Sequence, residues 1–334
     1  MDRTDRLLLN LIQKSFPVTV RPFEVLGARL HISEGEVMQR IERLKKNGIV
    51  RQISAIFNTG ALGYESSLVA MAVPEGEIER AAMEINRYPG VSHNYLRPCK
   101  YNIWFTIAVP PGENLKSLVA KLASRAGGWP FLILPAIKKF KLAVVLDVLE
   151  DEGDTVKEGT IGDNALNPSR STHSFPLTKK NIKIVRHLQE DLPLTRFPFR
   201  FLAEKLAMTE ESLISTLTNW IQLGWIRRFA AVLNHRQAGF VANGMVVWLC
   251  PEDRIDEAGM KLAAHAEVSH CYFRPSHPEW PYNLYAMIHG RNFDECRKFA
   301  KKLAEKIEIP EHKVLFSTKE FKKIRLKLFW EEEE

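Results

Sequence analysis

The sequence predicts an α+β chain made of two copies of one unit, joined by a polar tether. A short phrase is written twice, as Val91-Ser92-His93-Asn94-Tyr95-Leu96-Arg97-Pro98 and Val268-Ser269-His270-Cys271-Tyr272-Phe273-Arg274-Pro275. Each copy is followed by Tyr-Asn, at Tyr101-Asn102 and Tyr282-Asn283. At an offset of 176, Pro17 falls on Pro193, Pro22 on Pro198, Leu26 on Leu202, Gly48 on Gly224, Arg51 on Arg227 and Gly63 on Gly239. One further residue brings His93 onto His270, and four more, within 276–280, bring Tyr101 onto Tyr282 and Phe140 onto Phe321. Finally, each half opens with helical periodicity and closes with alternating strands and helices.

In the first copy, 5–14, 22–30 and 33–47 read as helices. Leu7, Leu8, Leu11 and Ile12 form one apolar stripe, and Val37, Ile41 and Leu44 another. Gly48 ends the third helix as a C-cap, and 49–56 reads as a wing strand, giving a winged helix-turn-helix that 178–232 repeats. A strand at 68–73, helix at 75–88, strands at 91–97 and 102–109, helix at 115–126 and strand at 132–141 follow. That βαββαβ order predicts a ferredoxin-like antiparallel sheet with both helices on one face. The matching sheet of the second copy is the natural cover for the other face. The expected boundaries are winged helices at 1–60 and 177–236, ferredoxin-like domains at 61–149 and 237–330, and a tether at 150–176. The tether is rich in acidic residues, Gly, Ser and Asn, and poor in large apolar side chains.

At 334 residues the chain exceeds one ordinary core, which fits a multidomain reading. No apolar run approaches the roughly 20 residues needed to cross a bilayer, and the opening Met1-Asp2-Arg3-Thr4-Asp5 lacks a signal-peptide pattern. Cys99, Cys250, Cys271 and Cys296 show no CxxC spacing, so neither a disulfide framework nor a metal site is expected, and a cytoplasmic location is. A net charge of +7 leaves two partner classes: nucleic acid, or a small molecule rich in carboxylates or phosphates.

Strand alternation puts Val91, His93, Tyr95 and Arg97 on one face, and likewise Val268, His270, Tyr272 and Arg274. Imidazole, phenol and guanidinium together are costly to bury without partners. They form either a hydrogen-bonded network at the sheet pairing or a ligand surface specified twice.

The order winged helix, then βαββαβ domain, resembles the Lrp/AsnC regulator family. His-x-Tyr-x-Arg-Pro followed by Tyr-Asn, with Arg227-Arg228-Phe229-Ala230-Ala231-Val232-Leu233-Asn234-His235-Arg236 upstream, resembles more specifically the siroheme decarboxylases, whose two related subunits would here be fused. The resemblance covers all but the tether and the acidic tail 331–334. It implies non-oxidative loss of carbon dioxide from two acetate side chains of siroheme, giving 12,18-didecarboxysiroheme for an alternative haem or haem d1 pathway. It implies no cofactor, iron entering only within the substrate. The guanidinium fork suits carboxylates, which makes Arg97, Arg274, Arg227, Arg228 and Arg236 the expected anchors. His93 and His270 are expected as general acids, positioning groups or axial iron ligands, with Tyr95 and Tyr272 as hydrogen-bonding partners. Tyr101, Asn102, Tyr282, Asn283, His235 and His277 complete the expected substrate-binding set, with His289 a lesser candidate. Trp104, Tyr285 and Trp248 are read as core residues that could also face the macrocycle.

The copies differ. Gln52 stands where the second copy has Arg228, Thr59 where it has His235 and Ala108 where it has His289, and His277 has no counterpart. His270 is therefore expected to matter more than His93.

The competing class is an Lrp/AsnC-like DNA-binding transcription regulator that senses a small molecule; a non-catalytic haem carrier is a third. The recognition helices begin Ser33-Glu34-Gly35-Glu36 and Thr209-Glu210-Glu211-Ser212. Carboxylates stabilise a helix N-terminus but meet phosphate with repulsion. The expected partners are thus siroheme and its product, with no membrane and with DNA disfavoured. The chain reads as an internal pseudo-dimer whose symmetry permits a further homodimer.

Overall fold

The computed structural model describes residues 1–141, 145–146, 158–159, 174–233, 242–265, 267–290 and 292–330. The first copy runs α1 (Arg3–Lys14), α2 (Pro22–Leu30), α3 (Glu34–Lys46), β1 (Val50–Phe57), β2 (Glu65–Met71), α4 (Ile78–Arg87), β3 (Val91–Leu96), β4 (Ile103–Val109), α5 (Leu115–Arg125), β5 (Phe131–Pro135) and β6 (Lys138–Lys141). Two short strands, β7 (Val145–Leu146) and β8 (Glu158–Gly159), pair with each other. The second copy runs α6 (Lys179–Leu188), α7 (Pro198–Lys205), α8 (Glu210–Gln222), β9 (Ile226–Leu233), β10 (Ala242–Trp248), α9 (Ile255–Ala263), β11 (Val268–Phe273), β12 (Leu284–Gly290), α10 (Phe293–Lys306), β13 (His312–Phe316) and β14 (Lys319–Lys323). Both copies contribute to each of two compact units.

One unit holds the winged helices. Asp2 and Asp5 form a reciprocal capping box on α1, Ser33 caps α3 and Thr209 caps α8. Gly48 and Gly224 end their helices at φ 69° and 72°, a left-handed conformation that a Cβ disfavours. Among the described residues the wing strands pair with each other, β1 antiparallel with β9. Matched bonds knit the copies, with Phe16 N–H donating to Phe229 O (2.6 Å) and Leu192 N–H donating to Ile53 O (2.7 Å). Phe175, placed in the tether by sequence, is buried with its ring centroid 5.2 and 5.1 Å from those of Trp220 and Trp225. Leu328 and Phe329 also belong here rather than with the preceding domain, held by the Gln189 amide and by Arg186 Nε. The expected tether, apart from β8 and 174–176, and the acidic tail lie outside the described residues.

The other unit holds two five-stranded antiparallel sheets, ordered β5-β2-β4-β3-β14 and β13-β10-β12-β11-β6. Four strands of each make the expected βαββαβ sheet, and the fifth comes from the other copy. The strand expected at 132–141 is therefore divided. Its first half stays on its own sheet, Pro135 offers no N–H to continue the ladder, and Ile137 N–H donates to Phe273 O (2.9 Å) as β6 crosses over. The mirror contact is Thr318 N–H to Leu96 O (2.9 Å).

Helices α4 and α5 cover Val69, Ile103, Phe105 and Ile107. Helices α9 and α10 cover Val246, Trp248, Leu284 and Ala286, which makes Trp248 a core residue on the helix side. The opposite faces share a cluster with Trp104, Tyr101, Leu132 and Leu134 from the first copy and Met245, Val247, Tyr285 and Leu315 from the second. Among the described residues no helix is long and apolar enough to cross a membrane.

Phe140 travels with β6 into the second copy's core and lies so close to Gly259 that a Cβ there would stand 2.4 Å from its ring. Phe140→Ala should cost about 3–5 kcal/mol in denaturant unfolding. Gly259→Ala should also destabilise, because the ring must move.

Candidate functional site

Both motif strands carry a bulge. Val91 pairs with Ile107 but His93 with Thr106, and Val268 pairs with Ile288 but His270 with Met287. The inserted residue reverses the alternation. Val91 therefore faces the helices, as does Asn94, whose amide donates to Asn86 Oδ1 of α4 (3.0 Å). The expectation that Val91 and Val268 share a face with the histidines is corrected by this bulge. His93 and Tyr95 lie opposite Thr106 and Trp104 on the face turned to the other sheet, and His270 and Tyr272 lie opposite Met287 and Tyr285.

The serines at the bulges, missed by sequence reasoning, touch the imidazoles. Ser92 Oγ is 2.9 Å from His93 Nδ1 and 2.9 Å from Thr106 Oγ1. Ser269 Oγ is 3.1 Å from His270 Nδ1, 2.7 Å from His289 Nε2 and 3.3 Å from Met287 O. The repeated Ser-His dipeptide was the available signal, hidden because strict alternation pointed the serine away. The His and Tyr rings sit one behind the other, with centroids 6.2 Å apart in the first copy and 6.1 Å in the second.

Burial holds the His93 pKa below the ordinary imidazole value, and Lys323 beside it on β14 adds to the effect while Glu320 opposes it. His93 is consequently neutral at neutral pH.

Arg97 and Arg274 are 3% and 8% exposed. Each reaches across the pairing, Arg97 Nη1 donating to Leu315 O and Arg274 Nη1 to Leu134 O. Their guanidinium carbons lie 5.7 Å from the Tyr95 ring and 4.6 Å from the Tyr272 ring. Among the described residues the Nε of each has no hydrogen-bond partner. Burial pushes the Arg97 pKa down to about 10 and lowers that of Arg274, so Arg97 keeps its charge at neutral pH.

Other expected residues are otherwise engaged. The Asn102 amide bonds both the N–H and the C=O of Val73 (2.9 and 2.7 Å), and the Asn283 amide does the same for Cys250 (2.9 and 2.8 Å). Both ends of each amide are thus bonded to backbone. Tyr101 is buried, and its hydroxyl donates to Glu279 Oε2 (3.0 Å). Trp280, in the second copy's insertion, packs edge-on against Trp104 (5.4 Å) and Tyr282 (5.1 Å) and donates to Tyr285 OH (2.8 Å). His277 bridges to Trp280 through its backbone, and its Nε2 is buried without a partner. Arg227 and Arg228 lie on β9, in the winged-helix unit; burial, then Arg227, lowers the Arg228 pKa. His235 and Arg236 lie outside the described residues. The described residues hold no cluster suited to a metal ion.

On the first recognition helix the cations are already paired. Arg40 binds Asp2, Asp5 and Glu36 at 2.7–2.8 Å, and Arg43 binds Asp5 at 2.8 Å.

Residues 61–141 and 237–322 match the AsnC-like ligand binding domain, and residues 5–51 and 181–227 match the siroheme decarboxylase NirDL-like HTH domain. A siroheme decarboxylase from Hydrogenobacter thermophilus is 40% identical over 326 residues, 97% of this chain and 95% of the relative. The siroheme decarboxylase alpha subunit of Desulfovibrio desulfuricans is 43% identical over 144 residues, covering 43% of this chain and 83% of the subunit. The crystal structure of the siroheme decarboxylase NirDL in co-complex with an iron-uroporphyrin III analogue matches with a TM-score of 0.79 at 35% identity, over 98% of this chain and 95% of that one.

The electrostatics of His93 can be read by NMR titration of its ring. The midpoint should fall below the ordinary histidine value, and Lys323→Gln should raise it by removing a neighbouring cation.

Proposed function

The chain belongs to the siroheme decarboxylase family, and on that premise we propose that it is a carboxy-lyase converting two acetate side chains of siroheme to methyl groups. The product, 12,18-didecarboxysiroheme, would feed an alternative haem or haem d1 route. In each event the CH₂–COO⁻ bond breaks and its electron pair passes to the macrocycle. Carbon dioxide leaves, and a proton is then delivered to the exocyclic carbon. One proton is consumed and no electron, so the chemistry as written calls for no redox partner, and iron is present as part of the substrate.

The observation that carries this reading is the doubled His-Tyr-Arg face, held within a chain related over its whole length to siroheme decarboxylases. We assign His270 as the proton donor and His93, neutral at its site, as the positioning imidazole. Tyr95 and Tyr272 orient the bound ring. Arg97 and Arg274 bring buried positive charge for which no carboxylate partner is seen among the described residues, and the substrate's carboxylates would offset it. The regulator reading has weaker support, because Arg40 and Arg43 on the recognition helix are bound by acidic side chains of this chain.

Anaerobic incubation with siroheme should give a product lighter by two carbon dioxide units in mass spectrometry, without added cofactor. Unchanged siroheme at full occupancy would overturn the enzyme reading, and tight salt-dependent binding to one DNA sequence would favour the regulator. His270→Ala should lower turnover about 100-fold while leaving siroheme affinity nearly unchanged. Arg274→Met should instead weaken binding about tenfold, the worth of a charge-assisted hydrogen bond.

A further inference from the structure

A reaction that ends in protonation of carbon must replace its proton after every event, and the two copies are equipped differently for that. Behind His270 stands Ser269, fully buried, and behind Ser269 stands His289 on β12, half-buried. Met287 and His289 are two residues apart on one strand, so His289 shares the intersheet face with His270, and the bulge wedges the serine hydroxyl between the two rings. In the first copy Ser92 also touches its histidine, but Ala108 occupies the position of His289 and the serine's second neighbour is Thr106. A threonine hydroxyl does not titrate near neutrality, so that chain ends without a proton store.

Resting on the decarboxylase reading above, we propose that Ser269 and His289 are a proton-feeding relay behind His270, and that the second copy is therefore the one that protonates substrate. The hydroxyl has one hydrogen to give, and of its two acceptors His270 Nδ1 (3.1 Å) is nearer than Met287 O (3.3 Å). With His289 Nε2–H donating to Ser269 Oγ and Ser269 O–H donating to His270 Nδ1, the remaining His270 Nε2–H is held toward the ligand. His289 enters the step as the imidazolium: when His270 Nε2–H passes to the substrate carbon, Nδ1 takes the serine proton and the serine takes the His289 Nε2 proton, which leaves His289 neutral with its proton on Nδ1. His289 then recovers one from water. One proton moves from His289 to substrate; the serine and His270 keep their charge, and His270, left with its proton on Nδ1, regains the Nε2–H form by exchange with water before the next event.

The surroundings are polar without a competing carboxylate on these strands. Tyr272 stacks beside His270, Asn243 lies across from His289, and the bordering β6 brings Lys139 opposite Tyr272 and Lys141 opposite Cys271. Ser269 and His289 are positioning residues, since they act through His270.

The test compares wild type with Ser269→Ala and His289→Ala, measuring siroheme affinity by absorbance titration and turnover by product mass. Both variants should bind siroheme as wild type does and turn over at least about tenfold more slowly. Free imidazole should restore turnover to His289→Ala in proportion to its concentration and leave Ser269→Ala unaided. Unchanged turnover in an active background overturns the relay alone. So does a loss that accompanies weakened binding, or one that imidazole fails to restore in His289→Ala. Inactive wild type overturns the decarboxylase reading, and the relay with it.

Discussion

An unpaired strand edge is the constraint from which the β-rich unit follows. β3 and β11 carry the side chains proposed for the site, and each would be an edge strand in a sheet built from one copy alone. Exposed N–H and C=O rows invite slippage and wrong pairing. Here β14 closes the edge of β3 and β6 closes that of β11, so each motif strand is held on both sides. The register that aims His93 and His270 thereby depends on the other copy. The buried arginines extend the same logic, each tying its motif strand to a backbone carbonyl of the opposite sheet.

Much of this was legible because it rests on local physics. Leu8 and Ile12 of the first stripe are buried while Leu7 and Leu11 are half-buried, Val37, Ile41 and Leu44 are all buried, and the βαββαβ order follows from alternation and punctuation. The duplication could be read because equivalent residues meet equivalent needs. What was hidden is what depends on partners far along the chain. Pro135 marks a break in a strand, but nothing local says that Lys138–Lys141 continues on another sheet. A bulge leaves no trace in an apolar pattern, so Ser92 and Ser269 were turned the wrong way. Asn102 and Asn283 looked like ligand groups because a polar side chain beside a functional motif reads the same whether it faces substrate or backbone. Phe175 was lost in a polar stretch, although one aromatic among Ser and Pro is what an anchoring residue looks like.

The fold is close to twofold, and the side chains around the two motifs are not. Arg97 and Arg274, Ser92 and Ser269, and Asn102 and Asn283 make equivalent bonds, whereas Ala108 against His289 and the insertion around Trp280 break the symmetry. The paired scaffold needs both copies, which maintains the matching backbone bonds. Acid–base chemistry needs a complete set only once, which leaves one copy free to vary in the side chains that supply protons.

Strand exchange also sets an order of events during synthesis. The first copy's helices and inner strands leave the ribosome early, but the strand that borders β3 is Lys319–Lys323, almost at the end of the chain. Until it emerges, the edge bearing His93, Tyr95 and Arg97 has no permanent neighbour. The nascent first half must therefore persist as an incomplete sheet until that strand is made, exposed to any other chain with a free edge. Joining the copies covalently makes the proper partner the nearest one when the last strand arrives.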